Sequence, residues 1–391
     1  MPELIQVSAP DFGEAEALAA RAAIESHWVG MGPRTEAFEA AIARRIGVRN
    51  VIATSSCTAA LHLALAGLER DERDEVIVPS LTFAATIQAV RLAGYRPVFA
   101  EVESDTLTLD SRDVAGLLGP HIRAILPVHF AGYPCEMEYL CDLASRFKVD
   151  VVADAAHAFG STVRGIPVGR QGMATCFSFS SNKNISCGEG GAVVTESDAL
   201  AARLRQLRFL GINRHTWERR DHEKPWYYAV TDTGFRYHMS DINAAIGLAQ
   251  LERLEAFAER RRRIAATYDM ALGDVPRTAP IKRDLKETIP NLYVLRVTDG
   301  LRDGLYASLR EAGIICGVHY VPNHQQPAFA EFKRSLPVTE ELANQVISLP
   351  LHTRLQPDQV GRVIGAVRRF LKRADATASH QTQGQLDTVI P

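Results

Sequence analysis

Short runs of β-branched and aliphatic residues alternate with segments of helical periodicity through the first two hundred positions. Val51–Thr54, Glu75–Pro79, Pro97–Val102, Ala124–His129, Asp150–Asp154, Ala174–Phe179 and Gly191–Thr195 read as strands. Thr58–Leu68, Thr82–Ala93 and Met137–Phe147 carry apolar residues at helical spacing between them. Val149 to Ala153 is almost wholly apolar, as a central strand covered on both faces must be. The alternation predicts an α/β fold: a three-layer α/β/α large domain with a mostly parallel sheet.

A long amphipathic segment follows, from Ser240 to about Leu272. Asp241 lies just inside its start, where negative charge suits the helix dipole. After Pro290, the runs Asn291–Val297 and Arg302–Ala312 read as a strand and a helix of a smaller α+β C-terminal domain. The expected division is a large domain over 1–250, a small domain over 251–373 and a disordered tail over 374–391. That tail is polar and poor in large apolar residues.

Of the 391 residues, 46% are hydrophobic and 23% charged, enough for a large core. The net charge of −2 argues against nucleic acid or an anionic membrane as a main partner. Arg260–Arg263 accordingly reads as a solvated helix face. Apolar stretches such as Ala59–Leu68 are far too short to span a bilayer. Met1-Pro2-Glu3-Leu4 lacks the parts of a secretory signal. Cys57, Cys135, Cys141, Cys176, Cys187 and Cys316 are scattered, with no Cys-x-x-Cys pair. This fits a reduced, cytoplasmic setting without disulfides or a metal site.

In an open α/β sheet, ligands bind beyond the carboxyl ends of the strands. Four stretches fall there. In "VIATSSCTAALHLAL" (51–65) a strand stops, small residues turn and a helix begins near Thr58; its free N–H groups suit a phosphate, or a plain Ser/Thr cap. In "EVIVPSLTFAATIQAV" (75–90), Phe83 follows a strand and is either a core aromatic or a face for a flat ring. Asp154 ends the buried strand 150–154, and a carboxylate there needs a positive charge or donors. Lys183 follows the strand 174–179, and "GEGG" then turns the chain back into 192–195. That glycine run precedes a strand, so it is no dinucleotide fingerprint. Phosphate cup, flat ring, buried carboxylate and lysine together match one cofactor, pyridoxal 5′-phosphate.

The segments "MGPRTEAFE" (31–39), "TSSCTAALHLAL" (54–65), "DEVIVPSLTF" (74–83), "ILPVHFAG" (125–132), "DAAHAFGS" (154–161), "FSFSSNKNISCGEGGAVVT" (177–195), "GFRYHMSDINAAIGLAQL" (234–251) and "GVHYVPNHQQPAF" (317–329) resemble the DegT/DnrJ/EryC1/StrS family. Its members are sugar aminotransferases of fold type I that use pyridoxal phosphate. The resemblance implies that Lys183 condenses with the cofactor aldehyde and shuttles the proton. Asp154 would face the ring nitrogen and His157 the phenolic oxygen. Ser178, Cys57 and Thr58 would hold the phosphate, and Phe83 would stack on the ring. Arg236 would reach a partner subunit's phosphate across a homodimer with shared sites. His319, Tyr320 and His324 would lie near substrate. The implied reaction moves an amino group from L-glutamate to a nucleotide-linked keto-sugar, a 4-keto-6-deoxyhexose or 4-keto-pentose. A cyclitol aminotransferase, a sugar dehydratase and a non-catalytic regulator are the alternatives. Ser180 stands where relatives often carry His or Tyr, and Cys57 where they carry Gly or Ala.

Overall fold

The computed structural model describes residues 4–213, 216–220, 223–224 and 226–386. Its strands are β1 (Asn50–Thr54), β2 (Glu75–Pro79), β3 (Arg96–Ala100), β4 (Ile122–Ile125), β5 (Asp150–Asp154), the short hairpin β6 (Thr162–Val163) and β7 (Ile166–Pro167), then β8 (Ala174–Ser178) and β9 (Gly191–Thr195). Seven of these form one sheet in the order β1-β9-β8-β5-β4-β2-β3. β8, β5, β4, β2 and β3 are mutually parallel, while β9 runs antiparallel to both β1 and β8. The β8–β9 connection is a turn-back without a crossover helix, which permits only antiparallel pairing.

The first helices are α1 (Glu14–Glu25), α2 (Pro33–Ile46), α3 (Cys57–Ala66), α4 (Ala84–Leu92), α5 (Ser111–Leu117), α6 (Met137–Phe147), α7 (Asp198–Arg208) and α8 (Thr216–Arg219). The period-two alternation of the strands sorts them into layers. Val76, Val78, Val152 and Cys176 share a core with α3, α4 and α7. Ile77, Ile125, Val151 and Ala153 point the other way, onto α5 and α6. Further along that side, Ala53, Phe177 and Val194 meet Phe38 and Ile42 of α2. Asp150, the polar interruption at the start of β5, forms an ion pair with the buried Arg123 on β4.

The expected helix from Ser240 forms as two, α9 (Asp241–Glu252) and α10 (Leu254–Leu272), broken at Arg253. Arg253 and Gln250 both bond the buried carboxylate of Glu16 at 2.8 Å, which fixes the break against α1. α10 belongs to two cores. Phe257 and Ala258 pack in the large domain; Ile264, Tyr268 and Leu272 pack in the small one. The small domain adds β10 (Thr278–Pro280), β11 (Tyr293–Val297), β12 (Val346–Leu349), α11 (Arg302–Glu311), α12 (Pro337–Ala343) and α13 (Pro357–Leu386). Its three strands form an antiparallel sheet. Ile5, near the other end of the chain, joins that core and bridges Ile314.

Two expectations meet a different structure. α13 continues as helix to Leu386, across 374–386 of the segment expected to be disordered, and residues 387–391 lie outside the described residues. The arginine run on α10 is not a solvated face. Arg261 is buried, Arg260 and Arg262 reach the carbonyls of Leu355 and Thr288, and Arg263 alone pairs along the helix, with Glu259. No helix among the described residues is long and apolar enough to cross a membrane, no His/Cys/Asp/Glu group there could hold a metal, and all six cysteines are free.

Asp241 ties the frame together. It is fully buried and accepts the N–H groups of Gly32 at 2.9 Å, Arg34 at 3.1 Å and Thr35 at 2.9 Å, and the Thr35 hydroxyl at 2.7 Å. The first residue of α9 thus caps α2, which has only Gly32 at its own N-cap position. Asp241→Ala leaves four donors without a partner and is expected to destabilise the protein by about 3–5 kcal/mol. The thermal unfolding midpoint reads this as a fall of several degrees; a loss of less than ~1 kcal/mol would show that the cap is dispensable.

Candidate active site

At the carboxyl end of β1 the chain turns through Ser55 and Ser56 into α3. The Ser56 hydroxyl caps the helix by accepting the Ala59 N–H at 3.1 Å. The N–H groups of Cys57 and Thr58 occupy the first two helical positions, where no intrahelical acceptor exists. The start of β9 lies directly behind them. A Cβ on Gly191 would fall 2.5 Å from Ser56 C and 2.6 Å from Cys57 N, so only glycine lets the strand pass. Gly188, at φ 81°, turns the chain into that approach. The "GEGG" run is therefore a device for bringing backbone close to backbone.

β2 ends at Pro79, and Phe83, at the N-cap of α4, is 61% exposed, its ring 5.9 Å from the ring of Tyr320. A core aromatic would be covered; this one presents a face.

Asp154 closes β5 and is 5% exposed. One carboxylate oxygen accepts the Ala156 N–H at 3.0 Å, the other the Thr86 hydroxyl at 2.8 Å. Burial raises its pKa, against the pull of these two donors and of the Lys183 charge. Thr82 lies 2.9 Å from the Thr86 hydroxyl. Thr86 has one proton and gives it to Asp154, so Thr82 donates to Thr86. A two-hydroxyl chain thus leads along the start of α4 to the carboxylate.

Lys183 sits in the loop after β8, half-buried, with burial lowering its pKa below that of an ordinary lysine. No direct salt bridge joins it to Asp154, although each feels the other's charge. The result is a buried acid and a partly desolvated amine lining one space.

His157, three residues beyond Asp154, is buried. Its Nδ1 accepts the Ala131 N–H at 3.3 Å. Burial, then the charges of Lys183 and His319, push its pKa well below the usual value, so the ring is neutral. Its single proton is therefore on Nε2, 3.5 Å from the Tyr320 hydroxyl.

Cys57, Thr58, Phe83, Asp154, His157, Ser178, Lys183 and Tyr320 line one cleft of roughly 270 Å³. It offers backbone donors for an anion at one end and a carboxylate for a cationic heteroatom. An amine able to attack a carbonyl completes it. Thr82, Thr86, Ser180 and Glu189 line it too; sequence reading gave the first two no role. Their signal lay in the spacing: Thr82 and Thr86 are one helical turn apart at a strand end.

Three residues stand elsewhere. His324 is 1% exposed and held between the Ser80 hydroxyl at 2.7 Å and Glu340 at 3.1 Å, so its ring is used in packing β2 against the C-terminal segment. It does not line the cleft, because both its nitrogens are already engaged. His319 stands beside the cleft with Nδ1 on Ser348 at 2.8 Å, its pKa lowered to about 4 by burial and the Lys183 charge. Arg236 is exposed and outside its own chain's cleft.

Solved structures superpose on nearly the whole chain. The aminotransferase TlmJ from Streptoalloteichus hindustanus is 34% identical, with a TM-score of 0.89 over 95% of this chain and 100% of its own. The sugar aminotransferase CalS13 from Micromonospora echinospora is 30% identical, with a TM-score of 0.87 over 94% and 100%. Spr1654 from Streptococcus pneumoniae, solved in a PLP form, is 27% identical, with a TM-score of 0.88 over 95% and 99%. The sequence pattern of one family matches residues 10–368, and on that match the chain belongs to the DegT/DnrJ/EryC1/StrS aminotransferase family.

Proposed function

We propose that this aminotransferase uses pyridoxal phosphate to move an amino group from L-glutamate to a nucleotide-linked keto-sugar, a 4-keto-6-deoxyhexose or 4-keto-pentose. The observation that carries the reading is the pairing of Asp154 and Lys183: a buried carboxylate with no cation bonded to it, in one cleft with a half-buried amine.

The residues fit the cofactor. The N–H groups of Cys57 and Thr58, with the Ser178 hydroxyl, suit its phosphate. Asp154 suits a protonated ring nitrogen, whose charge would offset the burial that now raises its pKa. Nε2–H of His157 is free to donate to a phenolic oxygen, since the Tyr320 hydroxyl at 3.5 Å is a long partner. Phe83 offers the ring a stacking face. When bound, pyridoxal phosphate supplies an aldehyde and an electron-withdrawing ring.

The chain's own residues do the rest. Lys183, depressed by burial, is a base that can take the proton from the α-carbon of the amino donor at Nζ and return it to carbon on the acceptor. The Ala156 N–H and the Thr86 hydroxyl donate to Asp154 and favour its ionised form against burial, and as a carboxylate it can hold a positive charge in place. Tyr320, from the C-terminal part of the chain, lines the cleft with its ring 5.9 Å from that of Phe83. The keto-sugar reading is supported by CalS13, a sugar aminotransferase, and by Helicobacter pylori PseC, an aminotransferase of pseudoaminic acid biosynthesis. A homodimer with shared sites is part of the proposal: Arg236 is exposed outside its own cleft, and Trp226, Tyr227 and Val230 are exposed near it in sequence.

The deciding experiment is the visible spectrum of the purified protein before and after L-glutamate. A yellow band that glutamate bleaches, restored by a nucleotide keto-sugar, is expected. A band indifferent to glutamate overturns the donor, and no band after incubation with pyridoxal phosphate overturns the cofactor. A dehydrated product in place of an amine would mark the sugar dehydratase, and restoration by a keto-inositol alone the cyclitol aminotransferase.

Lys183→Ala is expected to fold and to lose all turnover, because no other cleft residue carries a primary amine; retained turnover would sink the mechanism. Asp154→Asn should slow turnover by ~10³-fold or more, the equivalent of about 4 kcal/mol. Thr86→Val removes one donor at nearly constant volume and should lower kcat/KM by ~10- to 100-fold and loosen cofactor retention in dialysis. Thr86→Ser should recover most of both, and a Val variant equal to the parent in both would remove Thr86 from the site.

A further inference from the structure

Arg261 is the buried charge left without a use. It is 3% exposed, and its guanidinium meets only main-chain oxygens. Nη1 lies 3.4 Å from Pro290 O, 3.3 Å from Asn291 O and 3.3 Å from Leu351 O; Nη2 lies 3.4 Å from Lys183 O; Nε has no partner. All four contacts are longer than a good N–H···O bond. The carboxylate whose charge reaches it is Asp11, which is itself bonded to Arg253 at 3.1 Å. A buried cation with four long bonds and no counter-ion is expensive, and a methionine of similar length would fill the same space more cheaply. Burial lowers its pKa to about 10, which still leaves it charged at neutral pH.

Its location suggests the return. The carbonyls on either side of the reactive lysine are gripped by the same region. Asn291 Nδ2 donates to Asn182 O at 3.0 Å, Arg261 to Lys183 O, and the Asn184 side chain donates to Phe159 O at 3.0 Å. Of these three anchors only Arg261 carries charge. We propose that Arg261 is a positioning residue for Lys183: it fixes the lysine's main chain, and its permanent charge, held at that residue's carbonyl, disfavours an ammonium on the same side chain. This rests on the reading of Lys183 as the reactive amine.

The other groups around Lys183 do not do this. Asp154 and Glu189, when ionised, favour the ammonium. The Cys57 thiol is held uncharged by burial, and His157 and His319 are held neutral by burial. Around Arg261 itself, His352 is lowered to about 4 by burial and by the Arg261 charge, and so adds no second cation. Arg261 is thus the fixed cation, among the described residues whose charge reaches the amine, that opposes Asp154.

The test reads the lysine directly. Cofactor-free protein is labelled with trace acetic anhydride across a pH series, and the Lys183 peptide is followed by mass spectrometry. In the parent, the Lys183 midpoint should lie well below that of surface lysines. Arg261→Gln, which can still donate to carbonyls, and Arg261→Met, which keeps volume, should each raise it by ~0.5–1 unit, or roughly three- to tenfold slower labelling near neutral pH. Asn291→Ala removes a neighbouring anchor without removing charge and should leave the midpoint in place. A purely structural Arg261 would lower the melting temperature without moving the midpoint, and that result overturns the proposal. So does an Asn291→Ala shift as large as that of the Arg261 variants, or a parent midpoint equal to that of surface lysines, which can be read even if neither Arg261 variant folds. Pyridoxal phosphate should protect Lys183 in the parent; failure there refutes the reading of the lysine and leaves the charge effect separately measured.

Discussion

A carboxylate at the end of a buried strand must be stabilised or it will be neutral, and the organisation of the cleft follows from how Asp154 meets that demand. The protein supplies two donors, the Ala156 N–H and the Thr86 hydroxyl, and stops there. Arg123, the buried guanidinium nearest β5 in the sheet, is spent on Asp150 at the opposite end of the strand. Asp154 is therefore under-compensated, with burial still raising its pKa. An under-compensated carboxylate is a receptor for a cation, and a bound aromatic cation answers it better than water does. The sheet topology then decides what stands around it. β1, β2, β5 and β8 all deliver their carboxyl ends to one rim, and antiparallel β9 starts there, so four loops face each other.

Much of that rim was legible because its signals are local. A strand that ends in Asp, small residues before a helix, and a lysine followed by a glycine turn each follow from a few neighbouring positions. β2, β5, β9 and α6 fall on the expected residues for the same reason: each is a periodic run closed by Gly, Pro or a charge. Phe83 was open between core and rim, and only its exposure decides it.

What was illegible is what long-range packing decides. Nothing near Asp241 announces that it caps a helix two hundred residues earlier. The family resemblance would put His324 near substrate, and in the fold Ser80 and Glu340 occupy both its nitrogens. The arginine run read as a wet face because the chain as a whole is not basic, and three of its four members are partly or fully accessible. The fourth points inward, since residues four apart on α10, Phe257 and Arg261, share the buried stripe. A charge inside an apolar stripe was the available signal, and a net charge of −2 for the chain hid it.

The two domains are consequently not separable units around this cleft. α10 contributes to both cores, Ile5 packs with the small domain from the other end of the chain, and Phe329 and Leu336 return to the large one. The turn carrying Lys183 is built on the large sheet, but its carbonyls are held by Arg261 and Asn291. A proton shuttle needs a fixed origin and a free end. Anchoring 182–184 from the junction fixes the backbone at the root of the Lys183 side chain, which under the proposed mechanism leaves the four methylenes to carry the amine between donor and acceptor carbons. Loosening the junction would blur that origin first, and the loss would appear in the chemistry before it appeared in the fold.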